Sequence, residues 1–536
     1  MTVTTGQPPE SAAQTMFVPF PADRAAAYRT AGYWTGQRVD SVLRTAAQTW
    51  PERTAVIDPD GEDTYAQLDA LADQAAAGLA ALGIAPGDRV LLQLPNTRRF
   101  VVALFGLLRA GAVPVMCLPG HRLAELTHFA EVSGATALVT TGVAGGFDYR
   151  AMAQQLVQTH PMRIIDEADL TAEPASGAAP LIDVDTESPA LLLVSGGTTG
   201  APKLIPRTHE DYVYNFTASA EVCGLTGDDV YLVSLPAAHN FPLACPGILG
   251  AMSVGATTVF GTDPSPESAF ATIDRHGVTV TALVPALAKL WAQACEWEPL
   301  RPMNLRLLQV GGAKLGADDA RLVREALTPG LQQVFGMAEG LLNYTRIGDP
   351  PELVDNTQGC PLSPHDELRV VDDTGDDVAA GEQGELLVRG PYTLNGYFNA
   401  ARDNERSFSP DGFYRTGDKV RRLANGYLEV TGRVKDVITR GGETVSALDL
   451  EEHLLTHPSI WAAAAVPVPD EYLGEKICAA VVFSGPPVTL TELHKHLDDC
   501  GVAAHARPDM LVPMPSLPTT AVGKVDKKAI AKRVGS

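Results

Sequence analysis

One loop of the sequence gathers the residue types that hold phosphate groups. It occupies residues 195–203, SGGTTGAPK, directly after the apolar segment ALLLV and before the helix-like segment HEDYVYNFTASAEV. Glycines free backbone N–H groups to point inward, and hydroxyls and a lysine add donors, so the loop suits a polyphosphate. It is not a Walker loop, because Ala and Pro separate its last glycine from its lysine. A flexible surface turn is the alternative. The residues predicted to bind phosphate are Ser195, Gly196, Gly197, Thr198, Thr199, Gly200 and Lys203.

Two carboxylates and a lysine could complete a nucleotide site. Asp418 is an acceptor-only group that suits the two hydroxyls of a ribose. Glu339 supplies a hard oxygen of the kind that Mg²⁺ accepts beside phosphates. Each, taken alone, could be an ordinary turn or surface residue. Lys524 precedes the basic tail KVDKKAIAKR, for whose other lysines, such as Lys527, we predict a solvated helix end.

The elements that must position these residues alternate between strands and helices. From about residue 47 to 281, apolar runs such as RVLLQL and DVYLVSL alternate with helical stretches such as DALADQAAAGLAALG, which implies mostly parallel sheets covered by helices. After about residue 352 short alternating strands with Gly/Asp turns indicate antiparallel sheet. Beyond Arg433 the pattern is α+β, with Ser446 as a helix N-cap. We predict an α/β fold with a core domain (1–433, β-rich subdomain about 352–433) and a small mobile α+β lid (434–536).

Composition and charge exclude several classes of protein. The 536 residues are 45% hydrophobic and 20% charged, which is typical of packed globular proteins. A formal charge of −23 opposes non-specific binding to nucleic acid. The seven cysteines form no C-x-x-C pair, which argues against a zinc site or disulfide framework. The N-terminus lacks the features of a secretory signal, and the segment 100–120 reads as a buried helix leading into a strand, so we expect a cytoplasmic protein without a membrane span.

Five ordered motifs resemble the signatures of the adenylate-forming superfamily, which includes acyl-CoA synthetases, luciferases and peptide-synthetase adenylation domains. They are the loop 195–203 with the following LIPRTHEDYVYN, FGMAE at 335–339, YRTGD at 414–418, GRVKD at 432–436 and PTTAVGK at 518–524. The resemblance implies ATP and Mg²⁺ as cofactors. It also implies two half-reactions, in which an acyl-AMP forms and then reacts with a thiol after the lid turns.

The resemblance assigns roles to individual residues. Lys524 would supply positive charge where a carboxylate meets the α-phosphate, because joining two anions needs charge and alignment more than a base. Asp436 would be the hinge, although an ordinary linker aspartate is the alternative. Arg433 would touch the ribose or the phosphates. The other predicted nucleotide-binding residues are Gly311, Gly312, Ala313, Val334, Phe335, Gly336, Met337, Ala338, Asp418 and Glu339, with Glu339 as the metal ligand.

The segment 236–247, PAAHNFPLACPG, together with VFGMAEGLLNYTR resembles stand-alone aryl-acid AMP ligases of siderophore and antibiotic pathways, over nearly the whole chain. Asn240 offers an amide to a hydroxyl or amino group ortho to the carboxylate, and Phe241 offers a face to an aromatic ring. A loop packed on the core is the alternative for both. His239 could shape the carboxylate end of the pocket or the thiol tunnel, or be satisfied by core hydrogen bonds. The predicted acid pocket comprises His239, Asn240, Phe241, Cys245, Gly312, Val334, Ala338 and Leu342.

Two positions in this pocket bear on the choice of acid. In family members that activate 2,3-dihydroxybenzoate, a serine usually stands in the place of Cys245 and a valine in that of Leu342. Without the serine a 3-hydroxyl loses a partner, and an unpaired buried hydroxyl costs ~1–3 kcal/mol. We therefore predict salicylate as the acid and Cys245 as pocket lining rather than nucleophile. The acids 2,3-dihydroxybenzoate, anthranilate and 6-methylsalicylate remain alternatives.

The thiol acceptor is predicted to be the phosphopantetheine of an aryl carrier protein. Carrier proteins are typically acidic, so docking should use local basic residues. Coenzyme A is the alternative acceptor, and an inactive nucleotide-binding paralogue is an alternative of a different class, against which the intact motifs argue. The candidate docking residues are Lys419, Arg421, Arg422, Lys435 and Arg440.

Overall fold

The fold is described from a computed structural model, which defines residues 16–171, 182–195, 201–299, 301–521 and 523–535. The predicted phosphate-binding residues 196–200 lie outside the described residues. Ser195 and Lys203, at the two ends of that loop, lie within them.

The first part of the chain supplies the elements that lead up to the loop. They are α1 (Ala22–Thr30), α2 (Ser41–Thr49), β1 (Thr54–Asp58), β2 (Gly61–Thr64), α3 (Tyr65–Ala81), β3 (Arg89–Leu92), α4 (Arg98–Arg109), β4 (Val113–Met116), α5 (Leu123–Ser133), β5 (Ala137–Thr140), β6 (Val143–Ala144), β7 (Phe147–Asp148), α6 (Tyr149–Thr159), β8 (Arg163–Asp166) and β9 (Pro189–Val194).

The second part continues the alternation of strands and helices. Its elements are β10 (Leu204–Thr208), α7 (His209–Val222), β11 (Val230–Val233), α8 (Asn240–Ala244), α9 (Gly247–Ser253), β12 (Thr257–Phe260), α10 (Pro266–His276), β13 (Val280–Leu283), α11 (Pro285–Ala294), β14 (Leu307–Gly311), α12 (Ala317–Ala326), β15 (Leu331–Met337), β16 (Gly340–Tyr344), α13 (Pro351–Asn356) and β17 (Cys360–Pro361).

The last part contains a strand-rich segment followed by mixed elements. They are β18 (Glu367–Val371), β19 (Gln383–Arg389), α14 (Ala401–Ser407), β20 (Tyr414–Arg422), β21 (Leu428–Arg433), β22 (Val437–Arg440), β23 (Glu443–Ser446), α15 (Ala447–Leu455), β24 (Ile460–Asp470), β25 (Gly474–Phe483), α16 (Leu490–Asp499), β26 (Met510–Pro513) and α17 (Lys527–Val534).

Two large sheets form the centre of the molecule. One has the order β17-β16-β15-β14-β13-β11-β12-β1-β2, and the other has the order β10-β9-β4-β3-β5-β8. The interior pairs, such as β13 with β14 and β3 with β4, are parallel. At the ends of the two sheets the strands β2, β16, β17 and β10 are antiparallel to their neighbours. The carboxyl ends of the parallel strands meet at one edge of each sheet, which is where such folds place their sites. The predicted α/β class is confirmed.

The helix α4 shows why the apolar segment 100–120 is buried core. Its residues from Phe100 to Arg109 are all buried, and it packs against α3. A Cβ atom at Gly106 would lie 2.7 Å from Cβ of Ala75, so the close approach of the two helices needs a glycine. The chain then enters β4, as expected from the sequence. No helix in the described ranges has the length and apolar character required to cross a membrane.

The predicted β-rich segment is an antiparallel sheet of β18, β19, β20 and β21 in that order. After Arg433, β22 begins a separate sheet that also contains β23, β24, β25 and β26. Ser446 caps α15 by accepting a hydrogen bond from the backbone of Asp449, as predicted. The domain boundary at residue 433 stays a prediction, and the change of sheet at this point agrees with it.

One strand was missed by the sequence reasoning. The loop 195–203 does not lead from a strand into a helix, because β10 intervenes and pairs antiparallel with β9. LIPRT was read only as part of a motif, and its arginine and proline obscured the strand pattern. The loop therefore closes a β-hairpin whose two strands fix both of its ends.

Candidate active site

The two ends of the loop 195–203 are hydrogen-bonded to each other. Ser195 N–H donates to the carbonyl of Lys203 at 2.9 Å, and Lys203 N–H donates to Ser195 Oγ at 2.8 Å. The Lys203 ammonium lies 4.7 Å from the ring centroid of Tyr397 and 3.8 Å from the Asp403 carboxylate. The hairpin thus presents Lys203 beside the β-rich sheet, on the same side as the next carboxylate of the site.

Glu339 is held by a chain of tyrosine hydroxyls. The Tyr397 hydroxyl donates to Glu339 Oε1 at 2.9 Å and lies 2.9 Å from the Tyr414 hydroxyl. Burial raises the pKa of Tyr397 and of Tyr414, so both hydroxyls keep their protons and can donate. Because Tyr397 donates to the carboxylate, Tyr414 must donate to Tyr397. The carboxylate is thereby oriented at the end of β15.

Asp418 and Arg433 form a pair across β20 and β21. The two residues are direct partners in the antiparallel register, and Arg433 Nε donates to Asp418 Oδ1 at 2.7 Å. Asp418 is buried, while the Arg433 side chain is half exposed. The Asp418 charge raises the pKa of Arg433. The pair places one anionic and one cationic group at the end of β21, three residues before the predicted hinge residue Asp436.

Lys524 reaches this site from the far end of the chain. Its backbone is set by a tight turn, in which Thr520 N–H donates to the Lys524 carbonyl at 2.7 Å and Thr519 bridges to Val525. Gly312 has φ 89°, and a Cβ atom there would lie 3.2 Å from Lys524 Cε. Burial lowers the pKa of the Lys524 ammonium, and the Arg433 charge lowers it further. The lid therefore inserts Lys524 against the end of β14.

Small residues at the ends of β14 and β15 allow the walls of the site to approach. A Cβ atom at Gly311 would lie 2.8 Å from the Val334 carbonyl oxygen and 3.1 Å from Phe241 Cζ. At Gly336 it would lie 2.4 Å from Leu342 Cδ2. The Phe241 ring and the Leu342 side chain both occupy space that only glycine leaves open. Val334 is buried, residues 335–339 are partly exposed, and Ala313 is exposed beyond the end of β14.

Asn240 opens helix α8 beside a small cavity. His239 caps this helix, its Nδ1 accepting from the backbone of Phe241 at 3.2 Å. The cavity is lined by Met116, Leu118, Leu193, Val194, Ala238, His239, Asn240 and Ala338. Three of these residues were predicted for the acid pocket, and the others end or follow β4, end β9 or precede His239. Six of the eight lining residues are apolar, which is typical of a small-molecule site.

Neutral hydrogen bonds fix the Asn240 amide. Tyr212 Oη donates to Asn240 Oδ1 at 2.9 Å, and Asn240 Nδ2 lies 3.4 Å from Cys245 Sγ. Burial raises the pKa of the Cys245 thiol to about 12, which keeps it protonated. Burial, with a smaller effect of the Lys524 charge, lowers the pKa of His239 to about 3. The Cys245 thiol and the His239 imidazole are therefore both uncharged at neutral pH.

Asp436, the predicted hinge residue, is paired with a lysine whose environment was predicted wrongly from the sequence. Lys527 Nζ lies 2.6 Å from Asp436 Oδ2 and 2.8 Å from Glu451 Oε1. Its side chain is 27% exposed, so the prediction of a solvated helix end was wrong for Lys527. The ammonium is partly buried because it forms ion pairs with these two carboxylates. Asp436 is thus tied to the helix that follows Lys524.

Further contacts join the lid to the core in this arrangement. Lys314 forms an ion pair with Glu452 at 2.8 Å, and the Lys289 ammonium lies 4.6 Å from the ring centroid of Trp461. A Cβ atom at Gly120 would lie 2.8 Å from Ala521 Cβ, so the turn before Lys524 also rests on the core.

The structure brings most of the predicted site together. Glu339, Asp418, Arg433 and Gly312 lie around Lys524. Asn240 and Ala338 line the adjoining cavity. The roles of these residues stay predictions. Among the docking candidates, Arg440 is engaged by Asp509 at 2.6 Å and Arg421 by Glu429 at 3.4 Å, whereas Lys435 and Arg422 are exposed.

Three residues that support the site were missed. They are Tyr212 and Tyr397, described above, and Arg207, which is fully buried. Arg207 Nη1 donates to the Ala338 carbonyl at 3.1 Å, and its Nε pairs with Asp211 at 2.8 Å. A charged residue inside an apolar strand was the signal available for Arg207. The tyrosines offered no comparable signal, since tyrosine is common in buried positions of both helices and loops.

Comparisons with known proteins agree with this geometry. Residues 43–398 match the AMP-binding enzyme family, and residues 449–524 match the AMP-binding enzyme C-terminal domain. The chain is 68% identical to a salicyl-AMP ligase / salicyl-S-ArCP synthetase of Mycobacterium tuberculosis, over 97% of this chain and 94% of that protein. It is 46% identical to a 2,3-dihydroxybenzoate-AMP ligase of Bacillus subtilis, over 97% of both.

A solved structure gives the same result at the level of the fold. The apo structure of Mycobacterium smegmatis MbtA shares 72% sequence identity with the chain and superposes with a TM-score of 0.76, covering 96% of this chain and 98% of that one. The family match covers well over half of the described chain, and its second part ends at Lys524. The chain belongs to the family of AMP-binding enzymes.

Proposed function

We propose that the enzyme activates salicylate with ATP and then transfers the salicyl group to the pantetheine thiol of an aryl carrier protein. In the first step a carboxylate oxygen forms a bond to the α-phosphorus of ATP, and the bond from that phosphorus to the bridging oxygen breaks to release pyrophosphate. In the second step the thiol sulfur attacks the acyl carbon, and AMP leaves. The observation that carries the proposal is the insertion of Lys524 beside Gly312, between the Asp418/Arg433 pair and the Asn240 cavity.

The charges of the site fit the first step. Lys524 and Arg433 would offset the negative charge that gathers as carboxylate and α-phosphate meet, and their fixed positions avoid reorganisation during the reaction. Asp418 would accept from the ribose hydroxyls, for which its buried carboxylate is suited. Lys203 and the loop 195–203 would hold the β- and γ-phosphates. His239, neutral and turned into a cap, would orient the acid rather than transfer a proton.

A magnesium ion fits the donor chemistry of Glu339. Mg²⁺ binds through one or two carboxylates together with phosphate oxygens and water. Within the described residues no cluster of three or more metal-ligating side chains is present, so the single carboxylate of Glu339 would hold the ion together with the nucleotide. When bound, the ion would neutralise charge on the phosphates. Tyr397 would keep the Glu339 carboxylate turned toward it.

Similarity and pocket chemistry together favour salicylate and a carrier protein. The M. tuberculosis relative is named for both salicyl-AMP and the salicyl-carrier thioester. Cys245 stands where a serine would serve a 3-hydroxyl, and its thiol is already engaged by Asn240. A lid hinged near residues 433–436 would withdraw Lys524 and admit the pantetheine arm. Lys435 and Arg422, which are exposed, are candidates for docking the carrier. We place this activity in the cytoplasm.

A pyrophosphate-exchange panel tests the choice of acid. Salicylate, 2,3-dihydroxybenzoate, anthranilate, 6-methylsalicylate and benzoate would each be measured with ATP and Mg²⁺, and salicylate should give the highest kcat/KM. A preference for 2,3-dihydroxybenzoate would overturn the assignment.

A second assay tests the acceptor. Preformed salicyl-AMP on the enzyme would be offered either an aryl carrier protein bearing phosphopantetheine or coenzyme A. Transfer to the carrier should be much faster. An equal rate of transfer to coenzyme A would overturn the proposal that a carrier protein is the acceptor.

A further inference from the structure

The hydroxyl of Tyr212 sits in a position that the proposed reaction does not by itself require. Tyr212 is fully buried on α7, its ring lies 4.7 Å from the Arg207 guanidinium, and Thr208 and Asp211 cap the start of the helix. Burial raises the pKa of Tyr212 well above its ordinary value, so the hydroxyl remains a donor. The hydroxyl donates a hydrogen bond to Asn240 Oδ1 at 2.9 Å.

The hydrogen bonds around Asn240 have one consistent assignment of donors and acceptors. The Tyr212 hydroxyl donates to Oδ1, Nδ2 donates to Cys245 Sγ at 3.4 Å, and Sγ donates to the Asn240 carbonyl at 3.5 Å. Turning the amide over would bring Nδ2 to the Tyr212 oxygen and leave the buried hydroxyl hydrogen without this acceptor. An unsatisfied buried donor is disfavoured. The Tyr212 hydroxyl therefore determines which end of the amide carries the free N–H group.

The Asn240 amide has one N–H left over, and Asn240 lines the adjoining cavity. An amide nitrogen has two hydrogens, and one of them is directed to Cys245 Sγ. Asn240 lines the cavity together with His239 and Ala338, so the second hydrogen is available to a ligand there. The pocket thus presents a donor, and a ligand atom at this point must accept.

We infer that Tyr212 sets the preference for an ortho oxygen over an ortho amino group. This inference rests on the proposed function. In an ortho-hydroxybenzoate the hydroxyl hydrogen bonds to the neighbouring carboxylate, which leaves the oxygen lone pairs facing outward as acceptors. In an ortho-aminobenzoate one N–H bonds to the carboxylate and the second points outward, while the nitrogen lone pair is delocalised into the ring. The amino group of ortho-aminobenzoate would therefore point an N–H at the Asn240 N–H. Neither donor would then have an acceptor.

The size of the preference follows from that loss. Unpaired buried donors give roughly ten- to a hundredfold discrimination. Cys245 cannot reverse this preference, because its sulfur already accepts from the Asn240 amide and donates to the Asn240 backbone carbonyl. Tyr212 is thus a positioning residue, acting on the acid through Asn240.

The test compares three acids in one variant. Tyr212→Phe keeps the ring over Arg207 but removes the hydroxyl, so the amide can turn either way. In pyrophosphate exchange the ratio of kcat/KM for salicylate to that for anthranilate should fall about tenfold from its wild-type value. Benzoate, which has no ortho group, should change little, and the KM for ATP should not change.

A matched control is available on the same helix. Tyr214 donates its hydroxyl to Ser363 Oγ at 2.9 Å, on a different contact from Asn240, and Tyr214→Phe should leave the ratio of the two acids unchanged. An unchanged ratio in Tyr212→Phe, or an equal fall for all three acids, would overturn the inference while leaving salicylate activation intact. Absence of exchange with every acid in the wild type would overturn the proposed function and this inference with it.

A second variant covers the case in which Tyr212→Phe does not fold. Asn240→Ala removes the N–H group that would oppose an ortho amino group, and it adds no charge to the pocket. The preference should then move toward anthranilate by about tenfold or more. A variant that folds and still prefers salicylate to the wild-type degree would show that the amide polarity does not select the acid.

Discussion

The proposed nucleotide end of the site differs in construction from the proposed acid end. The first is formed by Glu339, Asp418, Arg433 and Lys524, and the second by Tyr212, His239, Asn240 and Cys245. The nucleotide end is built from charges that come from distant parts of the chain, and Lys524 arrives with the lid. The acid end is built from neutral side chains of α7 and of residues 239–245, which are joined by hydrogen bonds.

The difference teaches how the two tasks are separated. Charge acts over several ångströms and does not depend on which ring lies in the pocket, so the nucleotide end should affect every acid alike. Directional hydrogen bonds depend on each substituent, so the acid end should change the ratio between acids. A variant at the nucleotide end that changed the ratio between acids would contradict this separation. So would a variant at the acid end that lowered the rate for every acid equally.

The largest effect is expected from Lys524→Ala. Removing the cation beside the reacting groups should lower pyrophosphate exchange by roughly 10²- to 10³-fold for salicylate and for poorer acids alike, because one preorganised donor contributes about that much. Binding of ATP, measured by calorimetry, should change much less. The control is Lys532→Ala, an exposed position on α17, which should retain exchange. A Lys524→Ala variant with near wild-type exchange would remove this lysine from adenylation.

The next largest effect is expected at the acid end, from Cys245→Ser. A hydroxyl in place of the thiol gives a 3-hydroxyl a partner, so kcat/KM for 2,3-dihydroxybenzoate relative to salicylate should rise roughly ten- to a hundredfold. The KM for ATP should be unaffected. Cys223→Ser is a matched control, since Cys223 is also buried but bonds to Gln332 and Gln309 away from the cavity. An unchanged ratio would show that the 3-position does not meet residue 245.

Much of this division could be read from the sequence, and the reason lies in what a motif encodes. Glu339, Asp418 and Lys524 were predicted because each occurs in a short segment that resembles a family signature, and five such segments follow one another in order. Asn240 and Cys245 followed from a segment only twelve residues long. The α/β core followed from periodic apolar runs, which report burial directly.

Contacts between distant segments could not be read in this way. Tyr397 meets Glu339 across 58 positions and Tyr212 meets Asn240 across 28, and no local pattern fixes either distance. Lys527 was mispredicted for the same reason, because its carboxylate partners Asp436 and Glu451 lie elsewhere in the lid. A basic tail indicates a solvated helix only when nothing acidic packs against it.

A smaller effect is expected from Tyr397→Phe at the nucleotide end. Hydrogen bonds to charged groups contribute ~1.5–3 kcal/mol, and partial exposure of Glu339 favours the lower value, so exchange at limiting Mg²⁺ should fall about tenfold. High Mg²⁺ should restore most of the rate, and the ratio between acids should stay constant. Tyr427→Phe, which removes a hydroxyl bond to Asp349 instead, should leave the Mg²⁺ dependence unchanged. A changed ratio between acids in Tyr397→Phe would contradict the separation of the two ends.

The smallest effect concerns pH and tests both ends in one series. The proposed role of Lys524 requires its ammonium form. Because its pKa lies below the ordinary 10.5, adenylation should fall as pH rises through that lowered pKa. Lys524→Arg keeps its charge in this range, and its lower activity should lack the alkaline fall. At the acid end the pKa of Cys245 is raised to about 12 and that of His239 lowered to about 3, so neither group titrates near neutrality. The salicylate-to-anthranilate ratio should therefore stay flat from about pH 6 to about pH 9 while the rates for both acids decline together on the alkaline side. A ratio that changed with the rate would place a titrating group in the acid pocket, and neutral hydrogen bonding would no longer suffice to explain the choice of acid.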